Sequence, residues 1–243
     1  MNKSKLFQFK EFSIRQDKTA MKVGTDAVLL GAWAPLDTFP ENILDVGTGT
    51  GLIALMLAQR SEAFTIDAVE LDEQAYEEAV ENFENSQWAD RLFCYHANFK
   101  EFAQEMVEEE ESYDLIVSNP PFYTADFETA DVPRNKARFT SALSFSVLLE
   151  GVANLLAEQG TFALILPYRE EAHFIELALG FQLHLNRVCR IRGNGNSEIK
   201  RSMLAFSFTA SVLEEQELII EIERHKYTED YIQLTKDFYL KME

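Results

Sequence analysis

From residue 43 onward the chain alternates strand-length apolar runs with helix-length amphipathic ones, and few architectures accommodate that rhythm. The apolar runs are Ile43 to Val46, Phe64 to Val69, Leu92 to Tyr95, Tyr113 to Val117 and Thr161 to Leu166. Between them, Glu73 to Asn85 places Ala75, Tyr76, Ala79, Val80 and Phe83 on one helical face behind a capping Asp72. Strands that are apolar throughout and separated by helices are covered on both faces, which predicts an α/β fold around a mostly parallel sheet. After Phe181 the texture changes to two extended runs, Phe181 to Ile191 and Lys200 to Ala210, joined by Arg192-Gly-Asn-Gly-Asn-Ser197. That pattern predicts a long hairpin closing the sheet. With no internal repeat and no linker-like stretch, a single domain over residues 1–243 is expected: an arm over 1–42, a core over 43–210, and a C-terminal strand and helix over 211–243, the helix running from Thr228 to Lys241.

Composition narrows the function classes. Hydrophobic residues make up 47% and aromatics 12%, which excludes a disordered chain. No stretch approaches the roughly 18 apolar residues of a membrane helix, and no apolar run follows the lysines of Met1 to Gln16, so a cytoplasmic protein without membrane partner is expected. Cys94 and Cys189 sit singly in apolar runs, and His96, His173, His184 and His225 lack ligand spacing; free buried thiols and no metal are the expectation. No phosphate-binding loop, serine-hydrolase elbow or catalytic Cys–His signature is present, and Phe7, Phe9 and Phe12 read as strand packing.

The formal charge of -19 argues against nucleic acid until it is divided along the chain. Residues 23–133 hold 3 Lys/Arg against 24 acids, and the positive charge falls in three islands. These are the N-terminal arm, the trio Arg134, Lys136 and Arg138, and the group Arg187, Arg190, Arg192, Lys200 and Arg201. Arg134, Lys136, Arg138, Arg192, Lys200 and Arg201 are candidate RNA-phosphate contacts, and scattered solvated surface is the bland alternative.

Leu44-Asp-Val-Gly-Thr-Gly-Thr-Gly-Leu52 runs from a strand through a glycine turn into a helix. Gly47, Gly49 and Gly51 permit a sharp turn and let a ligand approach the peptide plane. A dinucleotide fingerprint would need its third glycine where Leu52 stands. The spacing Asp45-x-Gly47-x-Gly49-x-Gly51 instead resembles motif I of the class I S-adenosyl-L-methionine-dependent methyltransferases, whose loop holds the methionine half of the cofactor. The next strand ends on Glu70, placed to accept from both ribose hydroxyls, although an acid there can also serve the following helix. After the third strand comes Asn98, where this superfamily usually carries an Asp that reads the adenine amine; Asn departs from the pattern and keeps an acceptor.

Asn119-Pro-Pro-Phe122 follows the fourth strand and resembles motif IV of the amino-methyltransferases. An exocyclic amine on a conjugated base is a poor nucleophile because its lone pair is delocalised into the ring. The Asn119 side-chain oxygen and the Pro120 carbonyl can accept its two N–H groups and aim the lone pair at a methyl carbon. Pro120 and Pro121 stiffen the turn, and Phe122 offers a stacking face.

As a whole the chain resembles the bacterial tRNA(Val) adenine-N6-methyltransferases, which modify the adenosine just 3′ of the anticodon. The resemblance runs from Phe9-Lys-Glu-Phe-Ser-Ile-Arg-Gln16 and Ala20 to Trp33 through the glycine motif, Asn119 to Phe122 and Lys136-Ala-Arg138 to Tyr227-Thr-Glu-Asp-Tyr231 and Leu234 to Leu240. It implies a Rossmann-like class I methyltransferase fold with a seven-stranded, mostly parallel sheet whose last strand is antiparallel. It also implies S-adenosyl-L-methionine as cofactor and tRNA as partner, with no obligate protein partner evident, and a segment from Lys22 through Thr25 to Asp26 that closes over the cofactor. For Thr25 and Asp26 a helix N-cap is an equal alternative. Asp45, Gly47, Gly49, Gly51, Glu70, Asn98 and Asn119 complete the implied cofactor set. Three rivals stay open. Glutamine N5-methyltransferases of release factors share the NPP(Y/F) loop but carry a substantial N-terminal helical domain, whereas 42 residues precede the first core strand here. Ribosomal guanine-N2 methyltransferases also use NPPF, the better-known ones in a doubled domain. A catalytically inactive RNA-binding relative is disfavoured by the intact motifs.

Overall fold

The computed structural model describes residues 6–19, 21–120 and 143–242. Its strands are β1 (Leu6–Gln8), β2 (Ser13–Arg15), β3 (Asn42–Val46), β4 (Thr65–Glu70), β5 (Leu92–His96), β6 (Tyr113–Ser118), β7 (Leu156–Pro167), β8 (His184–Asn194), β9 (Ile199–Ser207), β10 (Glu214–Glu223) and β11 (Lys226–Tyr227). Its described helices are α1 (Thr25–Trp33), α2 (Leu52–Arg60), α3 (Glu73–Glu84), α4 (Phe99–Glu108), α5 (Phe145–Leu155), α6 (Glu171–Gly180) and α7 (Glu229–Thr235).

One sheet carries the order β11-β10-β8-β9-β7-β6-β3-β4-β5, and β1-β2 form a separate hairpin. Strands β3 to β7 pair in parallel, as their unbroken apolar character predicts. The predicted hairpin is β8–β9, with β9 inserted antiparallel between β7 and β8. These are the seven strands of the class I methyltransferase fold, the last of them antiparallel. Two further strands lengthen the edge: β10 lies parallel to β8, and β11 folds back on β10.

Successive residues of a strand face opposite layers. Ile43, Ile66, Leu115 and Ile165 pack with α1, α2, the arm and α7, while Leu44, Val46, Ile116 and Leu164 pack with α4, α5 and α6. Asp45 is fully buried in β3 between the apolar Leu44 and Val46. The arm rings Phe9 and Phe12 are buried and stack 4.8 Å apart, in line with strand packing.

Two local expectations need correction. The C-terminal helix starts behind Thr228 as expected but ends at Thr235, not Lys241. The chain leaves it to meet the arm, where the Phe238 carbonyl accepts from the Lys10 N–H at 2.8 Å and Tyr239 bridges Phe9. In α3, Asp72 caps as expected by accepting from the Ala75 N–H at 2.9 Å. Its buried stripe, however, is Ala75, Glu78, Ala79, Asn82 and Phe83. Tyr76 and Val80 are only half-buried, because the stripe follows the spacing i, i+3, i+4, i+7 and two of its members are polar.

Candidate active site

The carboxyl ends of β6, β3, β4 and β5 lie side by side, and each carries one of the singled-out residues. Val46 pairs with both Ser118 and Val69, and Glu70 pairs with His96. With adjacent strands about 4.8 Å apart, the row Asn119, Gly47, Glu70, Asn98 extends over about 15 Å. The chain proceeds from β3 outward to β5 and returns on the other side as β6, so this crevice is the topological switch point at which α/β sheets bind ligands.

The glycine loop is shaped from three sides. The Gly47 and Thr48 N–H groups donate to the Val69 carbonyl at 2.9 and 3.2 Å. From beneath, the Asp45 Oδ2 atom accepts from the Thr48 hydroxyl at 2.6 Å and from the Ala54 N–H at 3.2 Å, tying the turn to the first coil of α2. The glycines at 47, 49 and 51 have φ of 73°, 59° and 78°, a region that L side chains avoid. They serve different ends. A Cβ on Gly51 would lie 2.4 Å from the Phe83 ring, so packing requires that glycine, whereas a Cβ on Gly47 or Gly49 would enter open space that a ligand can fill. Burial raises the Asp45 carboxyl to about 7, opposed by its bonds to Thr48 and Ala54, and its Oδ1 atom is buried without a partner.

Glu70 holds the loop from the β4 side. Its Oε2 atom accepts from the Gly49 N–H at 2.9 Å, and its Oε1 atom accepts from the N–H groups of Leu71 and Asp72 at 2.8 and 2.9 Å. Asn98 is the N-cap of α4, its side-chain oxygen accepting from the Lys100 N–H at 2.9 Å; one lone-pair direction is left over. Ser118 donates its hydroxyl to the Val46 carbonyl at 2.9 Å, which ties the end of β6, just before Asn119, to the strand that leads into the glycine loop. Asn119 is half-buried and Pro120 buried, while Pro121 and Phe122 lie outside the described residues.

The N-terminal turn of α1 reaches the same edge of the sheet. Gly24, not Thr25 or Asp26, is the N-cap residue, and it provides no side-chain cap. Asp26 instead accepts from Arg201 at 2.7 Å, and Arg201 lies opposite Pro167 at the carboxyl end of β7. Lys22 and Thr25 are exposed beside this turn.

The arginine island of β8 and β9 is otherwise engaged. Arg190 holds Glu171 at 2.7 Å and Glu215 at 2.8 Å, and Arg192 holds Glu217 at 3.0 Å and the Ser197 carbonyl at 2.6 Å. Arg187 lies 4.5 Å over the Trp33 ring. Lys200 remains exposed, with a 4.0 Å approach to Glu198. Arg134, Lys136 and Arg138 lie outside the described residues.

Burial pushes the thiols of Cys94 and Cys189 up to about 12 and about 11, and neither forms a disulfide. Among the described residues, no cluster of three or more His, Cys, Asp or Glu could hold a metal ion, and no helix is long and apolar enough to cross a membrane. Sequence reasoning missed Thr48, Ser118, Glu78 and Asn82. For the last two a signal existed, since a carboxylate and an amide occupy the buried stripe of α3.

Residues 22–144 match the family model described as "Methyltransferase small domain". Among solved structures, a predicted O-methyltransferase from Agrobacterium tumefaciens superposes with a TM-score of 0.66 at 18% identity, covering 88% of this chain and 96% of that one. TYW2 of P. horikoshii, solved in complex with MeSAdo, gives 0.58 at 12% identity, covering 86% and 73%. These likenesses establish the fold. Curated relatives named tRNA1(Val) (adenine(37)-N6)-methyltransferase reach much further: that of Flavobacterium johnsoniae is 58% identical over 98% of this chain and 100% of its own length. The relative from Christiangramia forsetii is 56% identical over 97% and 98%, and that from Bacteroides fragilis 42% over 97% and 98%. The chain is therefore an S-adenosylmethionine-dependent methyltransferase and belongs to the family of the tRNA1(Val) (adenine(37)-N6)-methyltransferases.

Proposed function

We propose that this chain methylates N6 of adenosine 37, just 3′ of the anticodon, in tRNA(Val), acting as one catalytic domain in the cytoplasm. The observation that carries the reading is the row of strand ends that sets Asn119 and Pro120 beside a glycine loop open over Gly47 and Gly49. The site fits the cofactor. Gly47 and Gly49 offer bare peptide to its methionine half, and the buried Asp45 Oδ1 is a polar atom that a ligand can satisfy. Glu70 and Asn98 would take the ribose and adenine ends, and Lys22 and Thr25 would cover it from the arm. For Glu70 this means sharing a carboxylate that already accepts three N–H groups.

When bound, S-adenosyl-L-methionine supplies an electrophilic methyl group on its sulfonium. The target base leaves its stack to reach the site. The Asn119 side-chain oxygen and the Pro120 carbonyl accept the two amine N–H groups and turn the lone pair toward the methyl. Pro121 holds the turn and Phe122 stacks on the base. No strong general base is needed, because the amine becomes acidic as the N–C bond forms and its proton leaves late to water. Recognition of tRNA would use the arm, Arg134, Lys136, Arg138 and the exposed Lys200 at the β8–β9 tip, reading loop shape and backbone.

The test is transfer of labelled methyl groups to whole tRNA, ribosomal RNA, duplex DNA and a release factor in parallel. Label recovered as N6-methyladenosine from tRNA supports the proposal. Label in the release factor or in ribosomal guanine instead would overturn it.

A further inference from the structure

Two buried polar side chains of α3 have no place in the methyl-transfer scheme. Glu78 is 1% exposed and Asn82 2%, one helical turn apart on the stripe that faces the arm. The Glu78 carboxylate accepts three consecutive backbone N–H groups, from Asp17 at 2.5 Å, Lys18 at 3.0 Å and Thr19 at 2.9 Å. Such a run of N–H groups around an anion is strong because the bonds are charge-assisted and shielded from water. The Asn82 amide does two things at once. Its oxygen accepts from the Arg15 N–H at 2.8 Å, and its nitrogen donates to the carbonyls of Arg15 at 3.0 Å and Thr50 at 2.8 Å.

Thr50 belongs to the glycine loop, and Arg15 to Thr19 belong to the arm. A further bond, from the Val23 N–H to the Gln16 side-chain oxygen at 2.8 Å, closes the loop of chain that carries Lys22. One turn of α3 thus grips the arm and the cofactor loop together, and Phe83, the next residue, packs against Gly51.

We propose that Glu78 and Asn82 are positioning residues that couple the arm to the cofactor: they hold segment 15–19 against the glycine loop, so that closure of the Lys22 to Thr25 turn and cofactor binding favour one another. This rests on the reading of the glycine loop as the cofactor site. Neither side chain is asked to touch the cofactor. The exposed pairs of Lys18 with Glu77 and Glu81 contribute little by comparison, because surface ion pairs are screened.

Linkage makes the coupling measurable in the unaltered protein. Saturating S-adenosylhomocysteine should slow hydrogen exchange at the Asp17, Lys18 and Thr19 amides by about tenfold, the factor by which breaking the clamp should weaken binding. In Glu78→Gln the carboxamide presents a donor to one of the three N–H groups. Its dissociation constant for S-adenosylhomocysteine, measured by calorimetry well below the melting temperature, should rise about tenfold, with turnover at saturating cofactor within about twofold. Lys18→Ala should bind as the parent does. A role confined to fold stability would lower the melting temperature of Glu78→Gln and leave its dissociation constant unchanged. Unchanged binding in that variant, or exchange at residues 17–19 indifferent to ligand in the parent, overturns the clamp while the cofactor site stands. Failure of the parent to bind S-adenosylhomocysteine at all removes the cofactor site, and the clamp falls with it.

Discussion

The glycine loop and the arginine-rich edge of the sheet were equally prominent in the sequence, and folding treats them in opposite ways. In the loop, the polar groups of Asp45, Thr48, Glu70 and Asn82 are spent on holding backbone in place, and the surface above Gly47 and Gly49 stays open. At the edge, β8 presents Arg187, Arg190 and Arg192; the parallel neighbour β10 brings Glu215 to Arg190 and Glu217 to Arg192, while Arg187 covers the Trp33 ring. A shape made by adjacent residues survives folding, because its geometry is fixed within a few peptide units. A charge cluster survives only if no distant strand is built to neutralise it.

The contrast is sharpest at Asn119, where the largest effect is expected. Asn119→Ala should lower turnover by roughly a hundredfold or more if its oxygen accepts from the substrate amine as proposed, and should change cofactor affinity only a few-fold. Single-turnover kinetics and calorimetry separate the two, and loss of cofactor binding would reassign this turn.

Within the loop itself the glycines should divide. Gly51→Ala drives a methyl group into the Phe83 ring at φ 78° and should cost about 1–3 kcal/mol of stability, read from denaturant unfolding. Gly49→Ala meets no protein atom and should cost less stability, yet weaken S-adenosylhomocysteine binding by about tenfold or more, because its methyl occupies the ligand's approach.

Asp45 provides a pH-dependent break. Its carboxyl titrates near 7 in the folded chain, mainly through burial, against 3.8 for an ordinary aspartate. Between those values the unfolded chain has lost this proton and the folded chain has kept it, so the contribution to stability falls as pH rises through the window. Asp45→Asn should remove that slope. Denaturation midpoints from pH 4.5 to 7.5 should show the variant gaining on the parent as pH rises, and parallel curves would contradict the burial argument.

The smallest effect is expected at the edge. Lys200→Ala should flatten the dependence of log tRNA affinity on log salt by about one unit, whereas Arg192→Ala, whose partner is Glu217, should leave the slope nearly unchanged and lower stability instead.

The same distinction explains what was legible in the sequence. The parallel strands, the β8–β9 hairpin, the Asp72 cap and the glycine turn follow from neighbouring residues, and so were readable; the need for Gly51 beneath the distant Phe83 ring was not. The end of α7 at Thr235 was not, because it depends on Phe238 and Tyr239 finding the arm across the whole length of the chain. Nor was the engagement of Arg201 with Asp26, or of Arg190 with Glu171, since those partners are brought together by the sheet. Glu78 and Asn82 lie between these cases: helical spacing from Ala75 and Ala79 aligns them, but the expected face ran through the apolar Tyr76 and Val80, and the partners Asp17 to Thr19, Arg15 and Thr50 were not legible at all.

The central claim, that the crevice at the ends of β6, β3, β4 and β5 directs a methyl group to one adenine amine, is tested most directly by a pair of tRNA(Val) transcripts. One carries adenosine at position 37 and the other guanosine there, and each is incubated with the protein and S-adenosyl-L-methionine before nucleoside mass spectrometry. The account predicts N6-methyladenosine from the first transcript and no methylated nucleoside from the second. N2-methylguanosine from the second, or N6-methyladenosine persisting in it at another position, would contradict it.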